Sequence, residues 1–129
     1  MPLLKLSHAT TDEARRRTED LLNLVAMADA TEAAIADLTL CAQYHVAVAR
    51  GLVHAPAILI VEQLDGVLAG EDLRNFVGVL RRVAAQCSIV VIASVSQAFA
   101  ESRPGDRILE MAGGMVSRDS ASLREIETE

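Results

Sequence analysis

Three features of the sequence predict an α/β fold with a mostly parallel sheet. Two short runs, "AILIV" at 57–61 and "CSIVVIAS" at 87–94, are rich in β-branched residues and lack polar alternation, the pattern of strands buried on both faces. Between them, over residues 71–85, Leu73, Phe76, Val77, Leu80 and Val83 or Ala84 trace one helical face, with Arg74, Arg81 and Arg82 off it. Strand, amphipathic helix and strand form a βαβ unit with a right-handed crossover, so the two strands run parallel. Near the C-terminus, Gly113 and Gly114 between "RILEMA" and "MVSR" signal a hairpin turn.

The remaining elements follow in chain order. "PLLKL" at 2–6 is a candidate short strand. Thr10 and Glu13 have capping-box spacing, and Ala14, Leu21, Leu22 and Val25 then recur at helical intervals, which predicts a helix over 11–27. Arg15, Arg16 and Arg17 read as a solvated face of that helix, given the neighbouring Glu19 and Asp20. "ADATEAAIADLTLC" is a connector with room for a short helical turn, and "AQYHVAVARGLVH" is a helix whose Ala and Val richness suits close packing. Gly51 and Pro56 bracket its end. His45 and His54 read as surface or capping residues. The "AILIV" strand delivers Glu62, Gln63 and Asp65 just beyond its end. A short helix over 97–101 stops before Pro104, and the polar tail "DSASLREIETE" is a loose helix or disordered. There is no internal repeat and no low-complexity linker.

Composition narrows the function classes. At 129 residues the chain is long enough for one domain that buries about two-thirds of its unfolded surface. With 51% hydrophobic and 2% aromatic residues, the core is aliphatic. A formal charge of −6 opposes nucleic-acid binding, which depends on Lys and Arg displacing counterions from phosphates. Cys41 and Cys87 lie in apolar surroundings and match no metal spacing, so both are expected as buried thiols in a reducing cytosol. "MPLLKLSH" is too short an apolar start for a signal peptide, and no run reaches the ~18 residues needed to cross a bilayer.

The order of elements resembles the second half of an ABC-type ATPase, the nucleotide-binding subunit of many transporters. "LTLCAQYHVAVARGLVHAPAILIVEQLDGVLAGEDLR" looks like the signature loop and its helix, the Walker B strand and the segment after it; "SIVVIAS" and "DRILEMAGGMV" continue the match. The resemblance spans roughly 11–117. It implies a partial P-loop NTPase-like sheet of mostly parallel strands, flanking helices and a C-terminal β-hairpin. The Walker A strand and its loop have no counterpart: G-x-x-x-x-G-K-[ST] occurs nowhere, and Lys5 is the only lysine.

The other motif positions depart from the family pattern. Leu38, Thr39, Leu40, Cys41 and Ala42 stand where the family has Leu-Ser-Gly-Gly-Gln, so Leu40 and Cys41 put side chains where glycines let N–H groups approach a γ-phosphate. Glu62 matches the Mg²⁺-associated Asp and is a weak metal candidate, one methylene longer. Gln63 matches the catalytic Glu, and an amide orients water but cannot accept its proton, a function worth about 10²–10⁴ in rate. Leu64 and Asp65 replace a Pro-Thr pair, Ala69 replaces the Asp of the segment crossing the dimer interface, and Val95 takes the place of the switch His.

The expectation is therefore a single truncated domain over 1–129, with a helical signature-like part at 11–55, a Walker B-to-hairpin part at 56–117 and a tail at 118–129. It is non-catalytic and acts as an interaction or regulatory subunit beside an active ABC ATPase or a transporter membrane subunit. No catalytic residue is assigned, and no cofactor is expected on its own, ATP and Mg²⁺ entering only with a partner chain. Such a protein is cytoplasmic, held at the inner face of the membrane through its partner, with no direct insertion. One alternative is half of a split ATPase whose partner carries the Walker A loop. Another is a structural remnant that covers its open side by self-association.

Overall fold

The computed structural model describes residues 10–30, 32–102 and 106–121. The candidate strand at 2–6, Lys5, Pro104 and the tail from 122 onward lie outside the described residues. The chain divides into two compact units, one ending at Ser94 and the other beginning at Val95.

Among the described residues, four α-helices lie in the first unit. Helix α1, Thr11–Leu24, starts on the predicted capping box: the Thr10 hydroxyl accepts the Glu13 N–H (3.3 Å) and the Glu13 carboxylate accepts the Thr10 N–H (2.9 Å). It ends three residues short of the expected 27. Ala26 turns left-handed (φ 59°) and donates to Asn23 O, while Met27 donates to Leu22 O, a Schellman stop built on alanine instead of glycine. Arg17 departs from the solvated-face expectation in one respect, since its Nη2 donates to Val53 O (2.9 Å) and ties α1 to the turn after the next helix.

The connector carries two short 3₁₀ turns, Ala28–Ala30 and Ile35–Asp37. Helix α2, Leu40–Gly51, then runs into a 3₁₀ turn, Leu52–His54, that leads to strand β1, Ile58–Val61. Gly51 is where α2 meets β1: a Cβ there stands 3.2 Å from Leu59 Cδ1, tighter than most packing tolerates. A four-residue helix α3, Leu64–Val67, precedes the long amphipathic α4, Gly70–Cys87, and strand β2, Val90–Ala93. On α4 the buried residues are Phe76, Val77, Val79, Leu80 and Val83, close to the stripe read from the sequence. Phe76 is the keystone, 1% exposed, edge-on to Tyr44 (5.7 Å, 80°) and stacked on His45 (5.6 Å, 20°), so one ring joins α2 and α4.

β1 and β2 pair in parallel, Ile58 with Val90 through Val61 with Ala93, as the βαβ reading requires. One expectation fails. The strands are not buried on both faces: Ile58 (54%), Ile60 (68%), Val90 (58%) and Ile92 (50%) alternate with half-buried partners and form an exposed apolar face. Apolar runs specify a strand covered twice, but the described residues supply covering helices on one side only.

Three further expectations change. Cys87 is exposed because α4 runs a full turn past Val83, its last buried residue, and Cys41, in the first turn of α2, is only half-buried. His45 is buried, not a surface or capping residue; its Nδ1–H donates to Val25 O (3.0 Å), which satisfies the ring inside the core. His54 is exposed.

The second unit holds helix α5, Gln97–Glu101, capped by Ser96, and an antiparallel hairpin of β3, Leu109–Ala112, and β4, Met115–Asp119. Gly113 (φ 58°) and Gly114 (φ 78°) both occupy the left-handed region that a tight hairpin turn demands. A bulge between Glu110 and Met111 shifts the register. The open end is fastened by Arg107, whose guanidinium forks onto the Asp119 carboxylate (3.2 and 2.7 Å) and holds that carboxyl below its usual range.

Candidate functional site

Parallel strands bring their carboxyl ends to the same side of a sheet, the side where open α/β sheets bind ligands. Here that end is made by Val61 and Ala93 and by the residues that follow each. A single serine organises it. Ser94 donates its N–H to Val61 O (3.0 Å), accepts the Gln63 N–H on its hydroxyl (2.7 Å) and accepts the Leu64 N–H on its carbonyl (3.0 Å).

That clamp holds Gln63 in a left-handed conformation (φ 49°, ψ 50°), which costs a non-glycine residue about 1–2 kcal/mol. The turn is paid back inside the fold, where Leu64 and Leu68 are both 3% exposed and plug the core. The Gln63 side chain lies beside Gly66, where an added Cβ would stand 3.4 Å from Gln63 Cβ. Glu62 is exposed at the mouth of the turn, and Asp65 is half-buried. The strand end thus offers one free-standing carboxylate, an amide and a serine hydroxyl that is already occupied by a backbone donor.

The signature-like residues gather elsewhere, at the first turn of α2. Thr39 is the N-cap, its hydroxyl accepting the Ala42 N–H (3.2 Å), while Gln43 Nε2 donates to Leu38 O (3.0 Å). Leu40 is half exposed. Cys41 Sγ lies 3.6 Å from His45 Nε2 and 3.7 Å from the backbone oxygen of Asp72 in the first turn of α4. Burial first, and the Asp72 charge second, push the Cys41 thiol up from its ordinary value; burial pushes His45 down. Val95 is half-buried and carries no proton-transferring group.

Ser94 is the residue that sequence reasoning missed. The signal was present as a hydroxyl at the end of the second strand of a βαβ unit, opposite the acidic end of the first.

No protein-family model matches the chain. Curated relatives do. It is 30% identical over 114 residues to the energy-coupling factor transporter ATP-binding protein EcfA1 of Streptococcus mutans, covering 88% of this chain and 40% of the relative. It is 27% identical over 120 residues to the Fe(3+) ions import ATP-binding protein FbpC of Streptomyces avermitilis (93% and 35%) and 23% identical over 120 residues to the methionine import ATP-binding protein MetN of Photorhabdus laumondii (92% and 35%). This chain is a homologue of ABC transporter ATP-binding proteins.

The fold agrees. The dimeric bacterial ABC transporter cassette MJ0796 superposes with a TM-score of 0.66 at 23% identity, covering 87% of this chain and 48% of the cassette. The chain spans less than half the length of these ABC relatives, and its element order fits a C-terminal portion of that fold. ABC ATPases use ATP with Mg²⁺, a cation that takes oxygen ligands. Glu62 is a single exposed carboxylate, and among the described residues no group of three or more His, Cys, Asp and Glu side chains is placed to hold a metal ion.

Proposed function

We propose that this chain is a non-hydrolysing ABC ATPase-like domain, single over 1–129, that acts as an interaction or regulatory subunit beside an active ATPase or the membrane subunit of a transporter. The observation that carries the reading is Gln63. An amide, fixed by its backbone on Ser94, occupies the strand-end position at which the family resemblance calls for a proton acceptor. An amide donates and accepts hydrogen bonds without taking up the proton of an attacking water, so the Gln63 position supplies no general base. Leu40 and Cys41 in place of glycines put side chains between the backbone N–H groups and a phosphate, and Val95 in place of the switch His carries no donor.

The relatives' names set the context as transport, including methionine and Fe(3+) import. Among the described residues no helix is long and apolar enough to cross a membrane; in this reading the chain is held at the inner face of the membrane by its protein partner. ATP and Mg²⁺ enter this picture only with a second chain. Purified protein with Mg-ATP is expected to release phosphate at the rate of a Glu62→Ala control. Hydrolysis well above that control overturns the proposal.

A second reading rests on a different observation. In the described residues β2 pairs with β1 alone, which leaves its other edge open beside the exposed Ile58, Ile60, Val90 and Ile92 face. An open edge next to an apolar face accepts a strand from another chain. Under this reading the partner is a Walker A-bearing half, and hydrolysis arises only in the mixture. Pull-down from the native host with mass spectrometry, followed by the ATPase assay on the reconstituted pair, separates the two.

A further inference from the structure

We propose that Cys41 and His45 form an acid-triggered hydrogen-bond switch: when the His45 ring takes up a proton, the Cys41 S–H turns from the ring to the backbone carbonyl of Asp72, and a tie within α2 becomes a tie from α2 to α4. The sulfur stands between two acceptors. It lies 3.6 Å from His45 Nε2 and 3.7 Å from Asp72 O, both within reach of a thiol hydrogen bond. A thiol carries a single hydrogen, so it serves only one of them at a time.

The ring sets which acceptor is served. The Val25 carbonyl can only accept, so its 3.0 Å contact with Nδ1 places the proton of the neutral imidazole on that nitrogen and leaves a lone pair on Nε2. The thiol then donates to Nε2, closing a bond between residues four apart on one helix face. In the imidazolium both nitrogens carry hydrogens, and an N–H facing an S–H is repulsive. The ring cannot relieve this by turning, because it is 8% exposed, stacked on Phe76 (5.6 Å, 20°) and pinned at Nδ1. The thiol hydrogen can, since it swings about the Cβ–Sγ bond without displacing a heavy atom. Nε2–H then donates to a sulfur lone pair, and S–H donates to Asp72 O. One proton comes from solvent, and the thiol keeps its own hydrogen.

The surroundings decide where on the pH scale this happens. Helix α1 brings the Val25 carbonyl, and Arg82 of α4 reaches the adjacent Leu24 carbonyl (3.4 Å). Helix α4 also brings the Phe76 face, which attracts a cation at this distance, and the Asp72 charge, which favours the imidazolium. Helix α2 itself brings Cys41 and, edge-on to Phe76, Tyr44. Burial is the largest influence on the ring and opposes its charge, with the Val25 bond and Asp72 acting the other way, so protonation falls below the ordinary histidine range. Burial and then the Asp72 charge push the Cys41 thiol up, which keeps it protonated throughout. The device sits at the joint of α2 and α4 and needs neither nucleotide nor a partner.

The test uses the full chain carrying Cys87→Ser, which leaves Cys41 as the single thiol. Its S–H stretching band, in an infrared window free of other protein absorption, is followed from neutral to acid pH beside the His45 ring resonances in NMR. The band is expected to start at the low frequency of a thiol bonded to nitrogen and to shift upward, at constant intensity, as the bond passes to a carbonyl. Its midpoint is expected to match that of the ring resonances and to lie below 6.5. In His45→Gln the band is expected to stay in place over the same range; the matched midpoints carry the test on their own if that variant does not fold. A band that stays put while His45 titrates overturns the proposal. So does a band absent at neutral pH, the mark of a thiolate–imidazolium pair, and so does unfolding before the ring titrates.

Discussion

Replacing Gln63 by glycine is expected to stabilise the protein. The left-handed backbone at φ 49° costs a residue with a Cβ about 1–2 kcal/mol, which glycine does not pay. Glycine gives back about 0.4–1 kcal/mol through the greater freedom of its unfolded chain. The net gain is about 0.5–1 kcal/mol. With a urea m-value of about 1.5 kcal/mol per molar for a unit of this size, the unfolding midpoint followed by far-ultraviolet circular dichroism moves up by about 0.5 M. Ser94→Ala is the control with opposite sign. It removes the 2.7 Å acceptor of the Gln63 N–H, leaves that exposed donor to water, and lowers the midpoint by a similar amount. A midpoint that falls in Gln63→Gly refutes the claim that the turn stores strain. A midpoint unchanged in Ser94→Ala refutes the claim that the serine holds it.

Two further outcomes follow from the core of the first unit. Phe76→Ala removes the ring that joins α2 and α4 and is expected to cost about 3–5 kcal/mol, a large share of a typical total stability; a loss below about 1.5 kcal/mol in urea unfolding means that the site collapses around the gap. Burial lowers the folded-state pKa of His45 below its unfolded value, so between those values the unfolded chain binds more protons and stability rises with pH. The His45 contribution is complete above the unfolded value near 6.5 and is lost as pH falls through the depressed folded value. Urea midpoints across that range should slope less in His45→Gln, provided it folds, and an identical slope refutes the assignment.

Most of the fold was legible because local patterns set it. The Thr10–Glu13 box, the stripe on α4, the two apolar runs and the Gly113–Gly114 turn each depend on neighbours within a few residues, and each stands in the structure. What failed depends on layers. Ile58, Ile60, Val90 and Ile92 read as doubly buried because a strand's sequence records the environment it is suited to, whereas exposure depends on which covering elements are present. His45 was misread because a polar residue inside the core is announced only by its partner, and Val25 O lies twenty residues earlier in the chain. At the strand end, Glu62 and Gln63 were located from the apolar run before them. Their tie to Ser94 was not visible, since it requires the parallel register that brings Val61 beside Ala93.

That register also dictates when the sheet closes. Parallel pairing of Ile58 with Val90 forms only after α4 has crossed from one strand to the other, so it is a late event whose loop-closure entropy is met before any ladder bond forms. Until then the four side chains of the open face belong to two short, flat apolar segments with nothing to distinguish their own partner from a neighbour's. Refolding yield is therefore expected to fall as chain concentration rises, and to recover when that face is covered; a yield independent of concentration refutes this reading.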